Sequence, residues 1–327
     1  IIKSRKSVNV PNVDFELPAL NEKDKEFIGF AAREGIDFIA HSFVRNKRDV
    51  IAVQDLLHKH NSNIKVIAKI ENQQGIDNID EILDNAYGIM VARGDLAVEV
   101  PFEQIPGVQR MIIMKCNKHK KPVIVATQML HSMIQNTRPT RAEVNDVASA
   151  IYRRTDAVML SGETAFGKYP VESVATMAKI AGEVEKTKDN NLDMPVYVIN
   201  TKVSDYLAKY AVEASIELEA TAIIADTNTG RTIRALSGYQ GHKPIFAICY
   251  SKKTMRELAL SFGVIPLFMK PKTTTHAFII EALQKIKNEF EVRDNDHIVI
   301  LAGNFGAGRG ASFIEIGTVK NLMSVKT

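Results

Sequence analysis

Lys69 and Glu71 stand two residues apart in the apolar run IKVIAKIE (64 to 71), so on an extended strand both side chains leave one face while Ile70 packs on the other. A cation and an anion are then held side by side. Taken alone, this spacing is satisfied as well by an ion pair at the rim of a sheet. Asp95 changes the balance, because it follows the next apolar run, YGIMVAR (87 to 93), and carboxylates at the ends of adjacent strands can share an octahedral Mg²⁺ or Mn²⁺. A divalent cation beside a lysine suits a phosphorylated substrate. Gly94 lets backbone N–H groups approach a ligand, and a helix opening at Asp95 would turn its amino end toward a carboxylate; an ordinary N-cap is the alternative use of that aspartate. Thr127, after PVIVA, puts a hydroxyl at another strand end, where it meets a ligand or satisfies the local backbone.

Such residues need a scaffold that gathers separate strand ends. Short apolar runs at 36–42, 64–71, 87–93, 122–128 and 156–161 alternate with helical patterns near 22–34, 46–59, 76–84, 102–119, 140–153 and 170–186. The class is α/β, with parallel strands joined by crossover helices in a barrel or a doubly wound sheet. Reacting groups in a parallel barrel come from the carboxyl ends of its strands. Those ends read His41-Ser42, Lys69-Ile70-Glu71, Arg93-Gly94-Asp95, Thr127-Gln128 and Ser161-Gly162-Glu163. The polar stretch KTKDNNLDMP (186 to 195) predicts a linker, dividing the chain into 1–188 and 189–327. The second part carries helical patterns at 203–217 and 274–290 and strands at 221–226, 244–249 and 264–269. Strands at 297–303 and 311–319 flank the short NFGAGRG, which predicts a final hairpin.

Composition narrows the partners. A length of 327 residues suggests about two domains, and 45% apolar residues exclude a disordered chain. Lys and Arg number 42 against 38 Asp and Glu, a net charge of +4 too small and too evenly spread for a nucleic-acid or membrane-surface partner. Cys116 and Cys249 are too few for a disulfide framework and too isolated for a zinc cage, which points to a reducing, cytoplasmic setting. No apolar run approaches the roughly 18 to 20 residues that span a bilayer. The start, IIKSRKSVNV, has neither a cleavable apolar segment nor an initiator Met, so the chain is expected to begin partway through a longer protein.

The run IKVIAKIENQQGI (64 to 76) resembles the signature segment of the pyruvate kinase family. GIMVARGDL (88 to 96), KPVIVATQML (121 to 130), RPTRAEVNDVA (138 to 148) and MLSGETAFGKYP (159 to 170) match the family in order, and the likeness reaches the second domain. It implies a partial (β/α)8 TIM-type barrel of about five βα units followed by an α/β regulatory domain with a mostly parallel sheet. The implied activity is phosphoryl transfer from phosphoenolpyruvate to ADP, giving pyruvate and ATP. On matching positions, Lys69 would neutralise the migrating phosphoryl group. Glu71 and Asp95 would hold the divalent ion, Mg²⁺ or Mn²⁺. The amides of Gly94 and Asp95, with the Thr127 hydroxyl, would bind the substrate carboxylate, and Thr127 lies where the enolate is protonated, directly or through water. Ser42 falls near the family's monovalent-cation (K⁺) region.

The loop Thr227-Asn228-Thr229-Gly230-Arg231-Thr232 follows an apolar strand and opens a helix, forming a phosphate cradle where the family binds sugar-phosphate or nucleotide effectors. Without the family it is an N-capped helix start. Gly303 to Gly310 would close over the effector or simply serve the hairpin; with no tryptophan in the chain, stacking seen in some relatives must be replaced. Arg138, Arg141 and Asp146 are candidates for pairing across a two-fold interface, since family enzymes are typically homotetramers. Ala97 stands where glycine is usual, and Arg153-Arg154-Thr155-Asp156 replaces an Asp-Gly-x-Asp turn, read as a surface variation. A complete member has about three earlier barrel strands, with an arginine and an Asn-x-Ser-His motif, and an inserted lid; residues 4–24 resemble the exit from that lid. Alone, the chain is expected to be poorly active. The alternatives are a metal-dependent aldolase or lyase on a related barrel and a non-catalytic metabolite-sensing module.

Overall fold

A computed structural model describes residues 18–187, 203–303 and 311–324. Most of the segment resembling a lid exit, most of the linker and nearly all of the Gly303–Gly310 loop lie outside the described residues. The chain divides into two compact units, residues 1–116 with 123–184, and residues 117–122 with 185–327.

The first unit opens with α1 (Glu22–Glu34), β1 (Phe38–His41) and α2 (Lys47–Lys59), followed by β2 (Lys65–Ile70). Next come α3 (Gln73–Asp77), α4 (Ile79–Asn85), β3 (Gly88–Ala92), α5 (Arg93–Glu99), α6 (Ile105–Lys118) and β4 (Val123–Ala126). It continues through α7 (Arg141–Tyr152), β5 (Ala157–Met159), α8 (Gly162–Ala165) and α9 (Pro170–Thr187). Local chemistry sets the boundaries. Asn21 and Asp24 form a reciprocal capping box on α1, and Thr140 and Glu143 do the same on α7. The pattern read as one helix at 76–84 is two, α3 capped by Asn72 and α4 restarting after Asn78.

The five strands pair in parallel in the order β1-β2-β3-β4-β5. Val66, Ala68 and Ile70 of β2, Ile89 and Val91 of β3, and Val123 and Val125 of β4 join the helices in one core. Alternation sends Ile67 and Lys69 to the opposite face. β3, at the centre, is buried throughout, whereas β1 and β5 each have a single strand neighbour among the described residues and are only partly covered. Large apolar side chains stand exposed on elements next to those edges: Phe27, Phe30 and Ile36 near β1, and Phe166, Val171 and Val174 after β5.

The second unit contains α10 (Val203–Glu217), β6 (Ala222–Thr227), α11 (Arg231–Gly238), β7 (Ile245–Cys249), α12 (Lys252–Leu258) and β8 (Val264–Phe268). α13 (Thr275–Glu289), β9 (His297–Ala302), β10 (Phe313–Thr318) and α14 (Val319–Ser324) complete it. Strand order is β10-β9-β6-β7-β8, parallel except for the β9–β10 pair, which is the expected hairpin. The sequence pattern did not reveal α8, α12 or α14, which are four to seven residues long and too short to display a period.

Arg154 is no plain surface variation. It is half-buried and left-handed at φ +69°, where α7 ends in a Schellman motif: Thr155 N–H donates to Ala150 O and Arg154 N–H to Ile151 O. Gly35 takes the same conformation, φ +66°, after α1, with open space around the position of a Cβ. Arg154→Gly is expected to raise stability by about 1 kcal/mol and Gly35→Ala to lower it by about as much, because only glycine occupies that region without strain. Chemical denaturation of both variants checks the pair, and a loss in Arg154→Gly would mean that its side-chain contacts outweigh backbone strain.

Candidate active site

The Lys69 ammonium lies 2.6 Å from Glu71 Oε1 and donates to Ser42 Oγ at 2.9 Å. Glu71 is fully buried, and its other oxygen accepts the Phe43 N–H at 2.7 Å. Two side chains from the end of β2 thus hold the loop leaving β1, and Val44 N–H donates to Lys69 O at 3.3 Å from the same loop. Burying a carboxylate is costly unless charge and hydrogen bonds compensate it, and here both do. Phe43 adopts φ +52° within this clamp.

Asp95 is not an N-cap. The cap of α5 is Ala92, without a side-chain bond, and Asp95 lies exposed in the first turn, where the helix dipole favours a negative charge. Ala97 occupies an exposed helical position of α5 that alanine suits well, so the missing glycine leaves the backbone beside Asp95 regular.

Thr127 and Gln128 follow β4 with consecutive left-handed backbones, φ +68° and +55°. Each non-glycine residue held there costs of order 1–3 kcal/mol and needs enforcement by its surroundings. Thr127 Oγ1 accepts the Gly94 N–H at 2.7 Å and donates to Ala126 O at 2.6 Å. The Gly94 amide expected to meet a ligand is therefore satisfied internally, and the Thr127 proton is directed at the main chain.

Arg93, only 7% exposed, is the residue whose part the sequence conceals. Its Nη1 donates to Asp146 Oδ1 at 2.7 Å, and its Nη2 to Thr127 O at 2.6 Å and Met129 Sδ at 2.8 Å. Asp146, considered above for a subunit interface, is engaged within the chain, whereas Arg138 and Arg141 are exposed. Two more carboxylates secure the segment after Thr127. Glu163 accepts from Leu130 N–H at 3.1 Å and Ser161 N–H at 2.9 Å. Glu143 accepts from Ser132 N–H at 2.7 Å and Ser132 Oγ at 2.5 Å. Burial would raise the Glu143 pKa, but these bonds outweigh it and hold the carboxyl below its ordinary range. An arginine directly after an apolar strand was the one signal pointing to Arg93.

Residues 1–174 match the family model described as "Pyruvate kinase, barrel domain", and residues 205–316 match "Pyruvate kinase, alpha/beta domain". The chain belongs to the pyruvate kinase family. The pyruvate kinase of Borreliella burgdorferi is 46% identical over 98% of this chain and 68% of its own length. That of Clostridium acetobutylicum is 45% identical over 93% of this chain and 65% of its own, and that of Bacillus licheniformis 43% over 99% and 56%. The chain thus spans between about half and two thirds of the length of the curated relatives it matches. In this family setting, the donors at the ends of β2 and β3 suit a hard divalent cation. Both are carboxylates, the hard oxygen donors such an ion takes, and an ion there would share Glu71 with the Lys69 ammonium, 2.6 Å from its Oε1, or displace it. Among the described residues no three His, Cys, Asp or Glu side chains converge, so such an ion would take its remaining ligands from substrate and water.

In the second unit the loop after β6 is a tight turn into α11. Thr227 is buried and its Oγ1 accepts Gly230 N–H at 2.8 Å, while Thr254 Oγ1 donates to Asn228 O at 3.1 Å. Gly230 sits at φ +80°, a left-handed conformation that strains other residues, and a Cβ there would also push the Arg234 guanidinium aside, meeting Nη1 at 2.6 Å. Thr227 and Gly230 are thus committed to the turn, Thr232 is buried, and Asn228, Thr229 and Arg231 are exposed. Asp226, one residue earlier and on the opposite face of β6, accepts from Tyr250 OH at 3.0 Å. Burial raises its pKa, and the bonds from Tyr250 and the main chain only partly offset this.

A raised carboxyl in the folded state means that ionising Asp226 subtracts stability above its folded pKa and nothing below the unfolded carboxylate range near about pH 4. Asp226→Asn should therefore raise the unfolding midpoint at pH 8 and match the parent chain at pH 4, as read by thermal unfolding across pH. Equal midpoints at both pH values would contradict the assignment.

Proposed function

We propose that this chain supplies the metal- and carboxylate-binding side of a pyruvate kinase active site, transferring the phosphoryl group of phosphoenolpyruvate to ADP. The observation that carries the reading is the Lys69 ammonium, fixed between Glu71 Oε1 at 2.6 Å and Ser42 Oγ at 2.9 Å at the mouth of a parallel sheet. In the reaction the P–O bond to the enol oxygen breaks as one forms to the terminal oxygen of ADP; the enolate left behind is protonated at its methylene carbon to give pyruvate. Lys69 stabilises the charge on the peripheral oxygens of the loose phosphoryl group in flight. Because Glu71 and Ser42 already orient the ammonium, little reorganisation accompanies that step. Glu71 and Asp95 would hold Mg²⁺ or Mn²⁺, which when bound would supply Lewis-acid polarisation of substrate oxygens.

The substrate carboxylate replaces Thr127 Oγ1 as the acceptor of the Gly94 N–H, and the hydroxyl so released turns toward the carboxylate and the face of the enolate. Ser42 stands near the K⁺ region. In the second domain, taken as 189–327, the outward residues Asn228, Thr229 and Arg231 receive the phosphate of an effector. Exposed Arg138 and Arg141 serve a homotetramer interface. No described helix is long and apolar enough to cross a membrane, and a cytoplasmic setting fits a glycolytic enzyme. Among the described residues β1 and β5 are edge strands, and with a substrate enclosed on one side only this chain alone turns over poorly.

Calorimetry tests the site directly. Phosphoenolpyruvate should bind in the presence of Mg²⁺ and lose affinity at least tenfold in Glu71→Gln; binding indifferent to both Mg²⁺ and Glu71 would overturn the reading. In a barrel completed by the family's remaining strands, Lys69→Met should cost about 3 kcal/mol of transition-state stabilisation, roughly two orders of magnitude in kcat. A raised KM with unchanged turnover would assign Lys69 to ground-state binding instead. Sugar-phosphate binding without any pyruvate formation in the completed barrel would favour a sensing module.

A further inference from the structure

The guanidinium of Arg93 touches both the Thr127 carbonyl and, through Asp146, the helix α7. We propose that Arg93 is a positioning residue for Thr127, holding the left-handed Thr127–Gln128 turn so that the Thr127 hydroxyl faces Gly94 and the substrate carboxylate. The inference rests on the reading of Thr127 in the preceding subsection.

Three observations converge. First, the contact is to the main chain of Thr127: Nη2 donates to its carbonyl at 2.6 Å, fixing the peptide plane between Thr127 and Gln128. That plane is shared by two residues at φ +68° and +55°, so releasing it permits the turn to relax. Second, the donor is itself immobilised. Nη1 is anchored on Asp146 Oδ1 at 2.7 Å, and the side chain is 9% exposed. The planar fork thus points Nη2 one way, which a lysine ammonium cannot reproduce at two acceptors. Third, Arg93 directly precedes Gly94, whose N–H meets Thr127 Oγ1 at 2.7 Å. Adjacent residues of α5 grip Thr127 by its carbonyl and by its hydroxyl. Arg93 Nε makes no hydrogen bond, so the hydrogen bonds of the guanidinium all come from its two terminal nitrogens.

Amide hydrogen exchange of Gly94 tests this without any ligand, because that N–H is protected by the Thr127 hydroxyl. Arg93→Met should accelerate exchange at Gly94 at least tenfold while the amides of β3 and β4 keep their protection; Arg93→Lys should fall between. Unchanged exchange at Gly94, or uniform acceleration throughout the sheet, would overturn the proposal, the latter because it marks a brace for stability alone. Asp146 has a side chain 35% exposed, so its carboxylate can turn to water when Arg93 is removed. Should Arg93→Met nonetheless fail to fold, Asp146→Asn carries the same test through the loosened anchor. A second arm uses oxalate with Mg²⁺, a planar dicarboxylate shaped like the enolate of pyruvate. Weakening by tenfold or more in Arg93→Met, partly restored in Arg93→Lys, supports the link to substrate. If the parent chain ignores oxalate while Gly94 exchange responds, the positioning role stands and the phosphotransfer reading fails.

Discussion

A carboxylate withdrawn from water at the end of β2 governs the first unit. Glu71 is fully buried, and ionised side chains do not persist in such places without close compensation. Two groups provide it, the Lys69 ammonium and the Phe43 N–H. Each has a structural consequence. The ammonium is kept on the face away from the helices, and Phe43 is drawn into a left-handed conformation that fixes the loop between β1 and α2. The placement of the Lys69 charge and the shape of the neighbouring loop are therefore consequences of one desolvated anion.

The same solution recurs around the sheet. Loops at the carboxyl ends of parallel strands are irregular yet partly buried, so their peptide groups need partners that no ladder provides. Charged side chains from neighbouring segments serve: Asp49 for Arg45 N–H, Arg93 for Thr127 O, Glu163 for Leu130 N–H and Glu143 for Ser132 N–H. Burial would raise the pKa of Asp49, but its bonds from Arg45 prevail and lower it. Hydrogen bonds to ions are stronger than neutral ones, which is how a rim built of short turns tolerates several left-handed residues. Rigid loops result, and rigidity is what a charge-stabilising site requires.

What the sequence made legible follows from the range of each interaction. The same-face placement of Lys69 and Glu71 depends on strand alternation alone, and the limits of α1 and α7 on caps within four residues; both could be read directly. The final hairpin followed from the shortness of one connection. Arg93 was different, because its partners Thr127 and Asp146 lie 34 and 53 residues away and neither distance leaves a periodic trace. Arg154 hid for another reason: a left-handed arginine contradicts residue preference, and only the closing bonds of the Schellman motif reveal it. Asp226 was visible as an acid at the end of an apolar strand, but its raised pKa belongs to the burial around it, which strand pattern does not specify.

Thr127 stands where these interactions meet. Its oxygen accepts the Gly94 N–H and its proton goes to the Ala126 carbonyl, so neither of these two donors stands unsatisfied. An orphaned amide would cost about 1–3 kcal/mol, and a hydroxyl on a fixed turn avoids that cost without closing the site. An arriving carboxylate offers the same N–H a charged acceptor, roughly twice as strong as a neutral one, and can displace the hydroxyl. The exchange works only if the turn remains in place when its hydroxyl is released. With the Gly94 contact gone, the main-chain bond from Arg93 would still hold Thr127 in its left-handed conformation, so on the proposed reading the exchange from internal to substrate hydrogen bonding depends on the residue whose part the sequence conceals.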